Sequence, residues 1–108
     1  MKNIKILITS AGASSAVDVI KALKEIKKYK IKIMAIDKDI NASGLYLGDD
    51  YNLVKKVSNL TYIKKILSLC KKNKINFIFP IHSKEIELFS KYRNIFLNKK
   101  IGILIDKL

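Results

Sequence analysis

A turn of small residues near the start of the chain could hold a phosphate group. Residues 10–15 read SAGASS and keep, at Gly12, only the middle glycine of the G-x-G-x-x-G turn of dinucleotide-binding proteins. That glycine lets the backbone approach a phosphate, and free amides at the start of a following helix attract anions. Because the other two glycines are missing, a plain tight turn between a strand and a helix explains the pattern better than a dinucleotide site does.

Asp37 and His82 are the next candidates for contact with a ligand. Asp37 follows a predicted strand at about the distance from Gly12 at which NAD-dependent enzymes place a ribose-binding acid, and a turn or capping aspartate fits equally well. His82 follows Pro80 at the end of another predicted strand and could contact a ligand or carry a proton. No second histidine exists and no serine or cysteine nucleophile is placed beside it, so a turn histidine is favoured and no catalytic residue is predicted.

Glu85 and Cys70 are the last two candidates for a side chain that binds a ligand or reacts with one. Glu85 opens a predicted helix together with Glu87, where acids complement the helix dipole, and it follows His82 closely enough to point into the same cleft. Cys70 falls on the apolar face of another predicted helix, which favours a buried and unreactive thiol. One cysteine and one histidine argue against a zinc site made by this chain alone, and no metal site is predicted.

Alternating strands and helices must position these residues. Apolar runs rich in β-branched residues predict strands, and apolar residues at helical spacing predict helices. The predicted strands are 4–9, 31–36, 51–57, 75–79 and 100–105, and the predicted helices are 16–28, 60–73 and 83–97. Ser14 or Ser15 is expected to cap the first helix, and Asn59 or Thr61 the second.

This order of elements predicts an α/β domain whose parallel sheet is covered by helices on both faces. Right-handed crossovers then leave the strand order 3-2-1-4-5, a Rossmann-like three-layer architecture of about five strands. In such a sheet, ligands bind at the carboxyl ends of the strands, near the point where the strand order reverses. Four pieces of the sequence belong to that edge, residues 10–15, 37–39, 44–50 and 80–85.

Length and composition narrow the class of protein. The 108 residues and 12.3 kDa correspond to one domain, residues 1–108. Apolar runs extend for only a few residues, so no membrane-spanning helix is expected, and the N-terminus lacks the pattern of a signal peptide. We expect a cytoplasmic protein without disulfides. Because the predicted fifth strand ends the sequence without a closing helix, we also expect a domain cut from a longer protein.

The net charge of +13 is large, but the residues that carry it argue against a nucleic-acid partner. Every basic residue except Arg93 is a lysine, whereas proteins that read nucleic acids depend on arginine for bidentate contacts. Lysine, isoleucine and asparagine dominate the sequence, which is typical of a protein encoded by an AT-rich genome. We therefore interpret the charge as compositional bias spread over solvated helix faces.

Four stretches of the sequence resemble the N-terminal (pre-ATP-grasp) domain of ATP-grasp ligases, especially the branch near the large subunit of carbamoyl-phosphate synthase. Residues 6–25 (ILITSAGASSAVDVIKALKE) look like the family's first strand, small-residue turn and helix, and residues 33–39 (IMAIDKD) look like its second strand with a terminal acid. Residues 44–54 (GLYLGDDYNLV) are similar to its G-x-Y-x-A-D-E-x-x-x-V segment, and residues 77–96 to its strand, proline and acid-led helix. The resemblance covers essentially the whole chain.

The resemblance implies a role in an ATP-dependent ligase. Enzymes of this superfamily use ATP and Mg²⁺ to activate a carboxylate as an acyl phosphate, which an amine or another nucleophile then attacks. Their two later subdomains hold the nucleotide and the metal, and these subdomains are absent from this chain. The domain alone is therefore expected to be inactive and to bind no cofactor. The implied partners are those subdomains, on the same protein or on a split subunit, a small-molecule carboxylate and a second copy in a homodimer.

The resemblance also indicates which residues face the substrate. Glu85 matches an acid after the fourth strand that contacts the substrate in several members, and the turn at 12–15 would face the same pocket. The sequence departs from the family pattern at Ser10 and Ser14, where relatives often have glycine. Together with the chemistry of the single residues, this gives the predicted substrate-binding set Gly12, Ser14, Ser15, Asp37, His82 and Glu85.

Two other classes of function stay open. Gly12 and Asp37 fit a small Rossmann module that binds NAD or another nucleotide. The high charge fits a module without enzymatic activity that binds nucleic acid or an acidic partner. Such a module predicts an affinity that falls steeply with salt.

Overall fold

A five-stranded parallel sheet forms the centre of the protein, whose computed structural model describes residues 2–56 and 58–105. The strands are β1 (Asn3–Ile8), β2 (Lys30–Asp37), β3 (Asp50–Leu53), β4 (Phe77–Phe79) and β5 (Gly102–Ile103). The helices are α1 (Ser14–Lys24), α2 (Asn59–Lys72), α3 (Ser83–Lys91) and α4 (Arg93–Leu97).

The strand order is β3-β2-β1-β4-β5, and every neighbouring pair is parallel. This arrangement confirms the predicted α/β class and the order 3-2-1-4-5. The direction of the strand order reverses at β1, because β2 lies on one side of it and β4 on the other. The loops that follow β1 and β4 therefore diverge and leave a crevice at the carboxyl edge of the sheet.

The central strand β1 is buried on both faces because its alternate side chains enter two separate cores. Leu7 packs in the larger core, beneath α2, α3 and α4. Ile6 and Ile8 pack on the opposite face against Ala16 and Ile20 of α1. The sheet therefore lies between two helical layers, which confirms the predicted three-layer architecture.

Helix α1 packs on one face of the sheet and covers only part of it. The connections that lead to β4 and β5 place their helices on the other face, as right-handed crossovers in this strand order require. Phe77, Phe79 and Ile81 are therefore only partly buried, and Leu104 is 38% exposed. Phe77, Phe79 and Ile81 lie at the edge of the core that α1 forms on this face.

Two helices differ in extent from the prediction. The single helix expected at 83–97 breaks at Tyr92, whose φ of −102° and ψ of 17° end α3 and begin α4. The helix expected at 16–28 ends at Lys24, which leaves the apolar Ile26 42% exposed beyond it. Apolar spacing continues past both points, so it does not show where the backbone leaves the helix. No helix in the described part of the chain is long and apolar enough to cross a membrane.

The strands at the edges of the sheet are shorter than the apolar runs that predict them. The run at 100–105 yields only the two residues of β5. At its start, Lys100 has a φ of 61°, which a strand does not accept. The strand expected at 51–57 begins one residue earlier and ends at Leu53. Val57, the predicted end of that strand, lies outside the described residues.

Neither predicted helix cap is present. The residue at the N-cap of α1 is Ala13, which makes no side-chain cap, and Ser14 and its neighbour already belong to the helix. Ser58 caps α2, and its Oγ accepts a hydrogen bond from the amide of Thr61 at 3.2 Å. The predicted cap Asn59 is the first residue of that helix instead.

Cys70 lies in the larger core and is 1% exposed, which confirms its predicted burial. Burial raises the pKa of its thiol to about 12. At neutral pH the sulfur is therefore almost entirely protonated, and the reactive thiolate is scarce.

Candidate functional site

An open cleft of about 360 Å³ lies at the carboxyl edge of the sheet, where the strand order reverses. The segments that follow β1, β2, β3 and β4, together with the start of α2, form its walls. Its polar lining consists of Ser10, Asp37, Lys38, Lys56, Tyr62, His82, Lys84 and Glu85. Three of the predicted substrate-binding residues, Asp37, His82 and Glu85, thus meet at one cleft.

Glu85 is the buried acid of the cleft. It is 9% exposed and lies in the first turn of α3. One carboxylate oxygen accepts a hydrogen bond from the hydroxyl of Ser10, and the other accepts one from the hydroxyl of Tyr62 at 2.6 Å. A carboxylate removed from water is costly unless it is hydrogen bonded. The two hydroxyls therefore satisfy this acid and fix its orientation.

Ser10 adopts a strained backbone where it contacts Glu85. Its φ is 49°, in the left-handed region that side chains other than glycine rarely adopt. A glycine would fit this backbone without strain, but it has no hydroxyl to donate to the carboxylate. The serine therefore has a strained backbone, but its hydroxyl makes a hydrogen bond that joins the end of β1 to α3.

Tyr62 is a site residue that the sequence does not reveal. It is 6% exposed on the apolar face of α2, and its ring packs edge-on against Phe89 with 6.1 Å between the centroids. Burial first, and then the charge of Glu85 and the hydrogen bond to it, raise the pKa of the phenol above its ordinary value of 10.0. The charge of Asp37 adds to this rise. The one signal in the sequence is a tyrosine on an apolar helix face, because its hydroxyl needs a partner in the interior.

The raised pKa of Tyr62 predicts a loss of stability in alkali. Above about pH 10 the unfolded chain releases this phenolic proton while the folded protein keeps it, so the free energy of unfolding falls by up to about 1.4 kcal/mol per pH unit. Tyr62→Phe should remove this part of the slope. Urea unfolding at a series of alkaline pH values measures it, and Tyr51→Phe, at an exposed tyrosine, is the control. Equal slopes for Tyr62→Phe and the wild type would contradict the prediction.

Asp37 joins the end of β2 to the turn after β1. Its Oδ2 accepts a hydrogen bond from the amide of Gly12 at 2.9 Å, and its Oδ1 accepts one from the amide of Asp39 at 2.9 Å. Since both carboxylate oxygens of Asp37 already accept hydrogen bonds from backbone amides, the geometry favours the turn aspartate over the ribose-binding acid. The same contact occupies the amide of Gly12, which a phosphate at this turn would need.

The remaining predicted residues lie at the margin of the cleft or outside it. His82 is the N-cap of α3, and its Nδ1 accepts a hydrogen bond from the amide of Lys84 at 3.3 Å, which is the structural role that the sequence favours. Its exposed ring still lines the cleft. Gly12, Ser14 and Ser15 are exposed and do not line it. Contact with a substrate stays a prediction for all six residues of the predicted set.

Cationic groups outnumber acids around the cleft. Three lysines line it beside the carboxylates of Asp37 and Glu85, and the ammonium of Lys56 lies 5.8 Å from the centroid of the Tyr62 ring. This balance favours a ligand that carries negative charge. Within residues 2–56 and 58–105, no three His, Cys, Asp or Glu side chains lie close enough together to hold a metal ion.

The fold is similar to that of one part of several solved enzymes. The biotin carboxylase domain of 2-oxoglutarate carboxylase from Hydrogenobacter thermophilus, a dimer in complex with MgADP, ADP and bicarbonate, has a TM-score of 0.70 at 21% identity, over 92% of this chain and 22% of that one. The biotin carboxylase subunit of pyruvate carboxylase has a TM-score of 0.66 at 19% identity, with the same coverage. Glycinamide-RNase-transformylase T from Mycobacterium tuberculosis has a TM-score of 0.58 at 8% identity, over 92% of this chain and 25% of that one.

These similarities concern the fold, and the chain spans about a fifth to a quarter of the length of each solved enzyme. No curated protein matches the sequence. A family model described as the PylC-like N-terminal domain matches residues 6–104, which include the second half of β1 and all later strands and helices. The match confirms the resemblance to the N-terminal domain of ATP-grasp ligases. The chain belongs to the PylC-like N-terminal domain family.

Proposed function

We propose that this chain forms one wall of the substrate pocket in an ATP-dependent ligase that activates a carboxylate as an acyl phosphate. The observation that carries the proposal is the buried carboxylate of Glu85, which two hydroxyls orient at the carboxyl edge of the sheet. An acyl phosphate hydrolyses readily, so the pocket in which it forms must exclude water. A rigid sheet edge with an apolar core behind it suits that purpose.

The cleft residues would bind and orient the substrate, and none of them is proposed as catalytic. Glu85 presents a fixed negative charge, while the lysines around it attract an anionic group. Since the hydroxyls of Ser10 and Tyr62 already occupy one lone pair on each oxygen of Glu85, the remaining lone pairs are the ones a substrate donor would reach. This arrangement favours a substrate that carries both a hydrogen-bond donor and a negative charge.

The part of the chain that the structure describes offers no fitting site for ATP or Mg²⁺. The amide of Gly12 is taken by Asp37, and the described residues hold no cluster of metal-ligating side chains. We therefore assign the nucleotide and the metal to ATP-grasp subdomains on the same protein or on a split subunit, and propose that residues 1–108 catalyse nothing alone. We further propose a cytoplasmic location, where ATP is available, and a homodimer, since the Hydrogenobacter domain is a dimer.

Titration of the purified protein with small carboxylic and amino-carboxylic acids, followed by NMR of the backbone amides, tests the proposal. At least one compound should shift the amides of Ser10, Lys38 and Lys84. Glu85→Gln should weaken that binding about tenfold, because one charge-assisted hydrogen bond is lost. Glu87→Gln, at an exposed acid two positions later on α3, is the matched control and should bind as the wild type does.

Two results would count against this function. Micromolar binding of NAD or AMP, with shifts confined to the turn at 12–15, would favour the small nucleotide-binding module. Turnover of ATP with a carboxylate by these 108 residues alone would contradict their proposed lack of activity.

A further inference from the structure

Strand β3 lies at one end of the sheet and therefore has an open edge. Parallel strands bond to a neighbour through alternate residues, and the amide of Val54 donates to the carbonyl of Asp37 of β2 at 3.0 Å. The even-numbered residues of β3 therefore bond to β2, and the amides and carbonyls of Tyr51 and Leu53 point away from the sheet. Within residues 2–56 and 58–105, no backbone group outside the sheet bonds to them.

The side chains along this open edge are apolar and exposed. Tyr51 and Leu53 alternate onto the same face of the sheet, and each is 47% exposed. The ring of Tyr46 packs edge-on against that of Tyr51 with 4.8 Å between the centroids, and its hydroxyl donates to the carbonyl of Ile40 at 2.8 Å. The strand itself contains neither lysine nor proline. An exposed apolar edge without these residues is a template on which another strand can pair.

The two ends of β3 carry opposite charges. Asp49 and Asp50 lie at its start, and Lys55 and Lys56 follow its end. A second β3 that runs antiparallel would bring the acidic end of each strand beside the basic end of the other, whereas a parallel one would bring like charges together. Because a two-fold axis relates antiparallel copies of one strand, this complementarity favours a second copy of the chain as the partner.

We propose that two copies of this chain pair antiparallel along β3 and join their five-stranded sheets into one continuous sheet. The two-fold axis passes beside Asn52, so that Tyr51 of each copy lies opposite the partner's Leu53. Each of these two pairs exchanges two hydrogen bonds through the outward backbone groups. A shift of one residue would turn the apolar side chains to the opposite face from those of the partner. The proposal rests on the homodimer proposed above and names its surface.

The size of the surface predicts a weak dimer. Strand β3 has four residues, and pairing of so short a strand buries less than the roughly 800 Å² per partner of a standard interface. We therefore expect a dissociation constant on the order of 100 µM. The other edge strand, β5, has two residues and offers a still smaller surface. Since β3 leads into Val54 and Lys56, which line the cleft, dimer formation would also steady that wall of the cleft.

Sedimentation equilibrium at concentrations around the expected dissociation constant tests the surface. Salt at about 0.3 M screens the repulsion between two chains of net charge +13. Tyr51→Lys with Leu53→Lys should weaken the dimer about tenfold or more, because apolar pairs are lost and like charges meet. Leu60→Lys with Leu97→Lys is the matched control, because it adds the same charge at residues that are 47% and 49% exposed. It should dimerise as the wild type does.

The variant Asn52→Cys tests the register. Residues opposite each other in a non-hydrogen-bonded antiparallel pair have Cα atoms about 4.5 Å apart, a separation that a disulfide spans. Oxidised glutathione should therefore link two copies of the Asn52→Cys protein. Lys55→Cys is the control, because its two sulfurs would lie about 20 Å apart and should stay unlinked. The native Cys70 is buried and does not compete.

The outcomes separate this surface from the rest of the proposed function. Equal dimerisation of the β3 variant and its control would overturn the β3 surface, and so would equal linking of the two cysteine variants. Either result would leave the homodimer to another surface. A wild type that stays monomeric at every concentration would overturn both the surface and the homodimer. Binding of a carboxylate in the cleft is detected separately by the amide signals, so its failure would count against the ligase role alone.

Discussion

Phe89→Ala should lower the free energy of unfolding by about 4 kcal/mol. Phe89 is fully buried, and its ring packs against Tyr62 of α2 and Phe96 of α4, with 6.1 and 5.6 Å between centroids. Truncation to alanine would leave a cavity among three helices, which close packing prevents the neighbours from filling. Since domains are stable by roughly 5–15 kcal/mol, such a loss removes much of the total. Urea unfolding followed by circular dichroism measures it.

Phe89→Leu is the matched control and should cost about 1 kcal/mol, because most of the side-chain volume remains. Equal losses for the leucine and alanine variants would mean that the cavity is not the cause. The alanine variant should also disturb the cleft, since the Phe89 ring supports Tyr62, which in turn holds Glu85. A shift of the Glu85 side-chain carboxyl signal in NMR reports that effect, and an unchanged signal would show that α2 positions Tyr62 without Phe89.

Gly44→Ala should lower the free energy of unfolding by about 3 kcal/mol. A methyl group at this position would collide with the backbone carbonyl of Ala11, a group that cannot rotate away as a side chain can. The amide of Gly44 donates to that same carbonyl at 2.8 Å, so relief of the collision would break the hydrogen bond as well. The close approach holds the loop after β2 against the turn after β1. Thermal and urea unfolding measure the loss.

Ser43→Ala, at the exposed neighbouring residue, is the control and should change stability by less than about 0.5 kcal/mol. Because Gly44 contacts the turn that leads to Gly12, the Gly44→Ala protein should also show altered amide signals for Gly12 and Asp37. A Gly44→Ala protein as stable as the wild type would mean that the loop moves away from the turn at little cost.

The fold was predictable because its signals are local and repeat along the chain. Each apolar run that the sequence offers as a strand became one, and the helical spacing between the runs fixed parallel pairing and right-handed crossovers. The ends of the elements were not predictable in the same way. The break at Tyr92 and the left-handed backbone at Lys100 depend on how the chain turns back toward the sheet. Neither turn contains a glycine or a proline that would mark it in the sequence.

The candidate site was predictable only where a residue follows directly after a strand. Asp37 ends β2, His82 and Glu85 come soon after β4, and parallel strands bring such positions to one edge. Tyr62 comes from a helix at the other side of the cleft, and its contact with Glu85 spans 23 residues of sequence. Nothing in the local pattern around a helical tyrosine says which acid its hydroxyl will meet.

The sequence by itself determined the class of fold, the order of the strands and the edge of the sheet at which the candidate site lies, because periodicity and chain handedness decide these. Tertiary structure alone decided that Ser10 and Tyr62 hold the carboxylate of Glu85 and that Asp37 occupies the amide of Gly12. These features are distances between residues remote in sequence, and they exist only once the sheet has set neighbouring strands side by side.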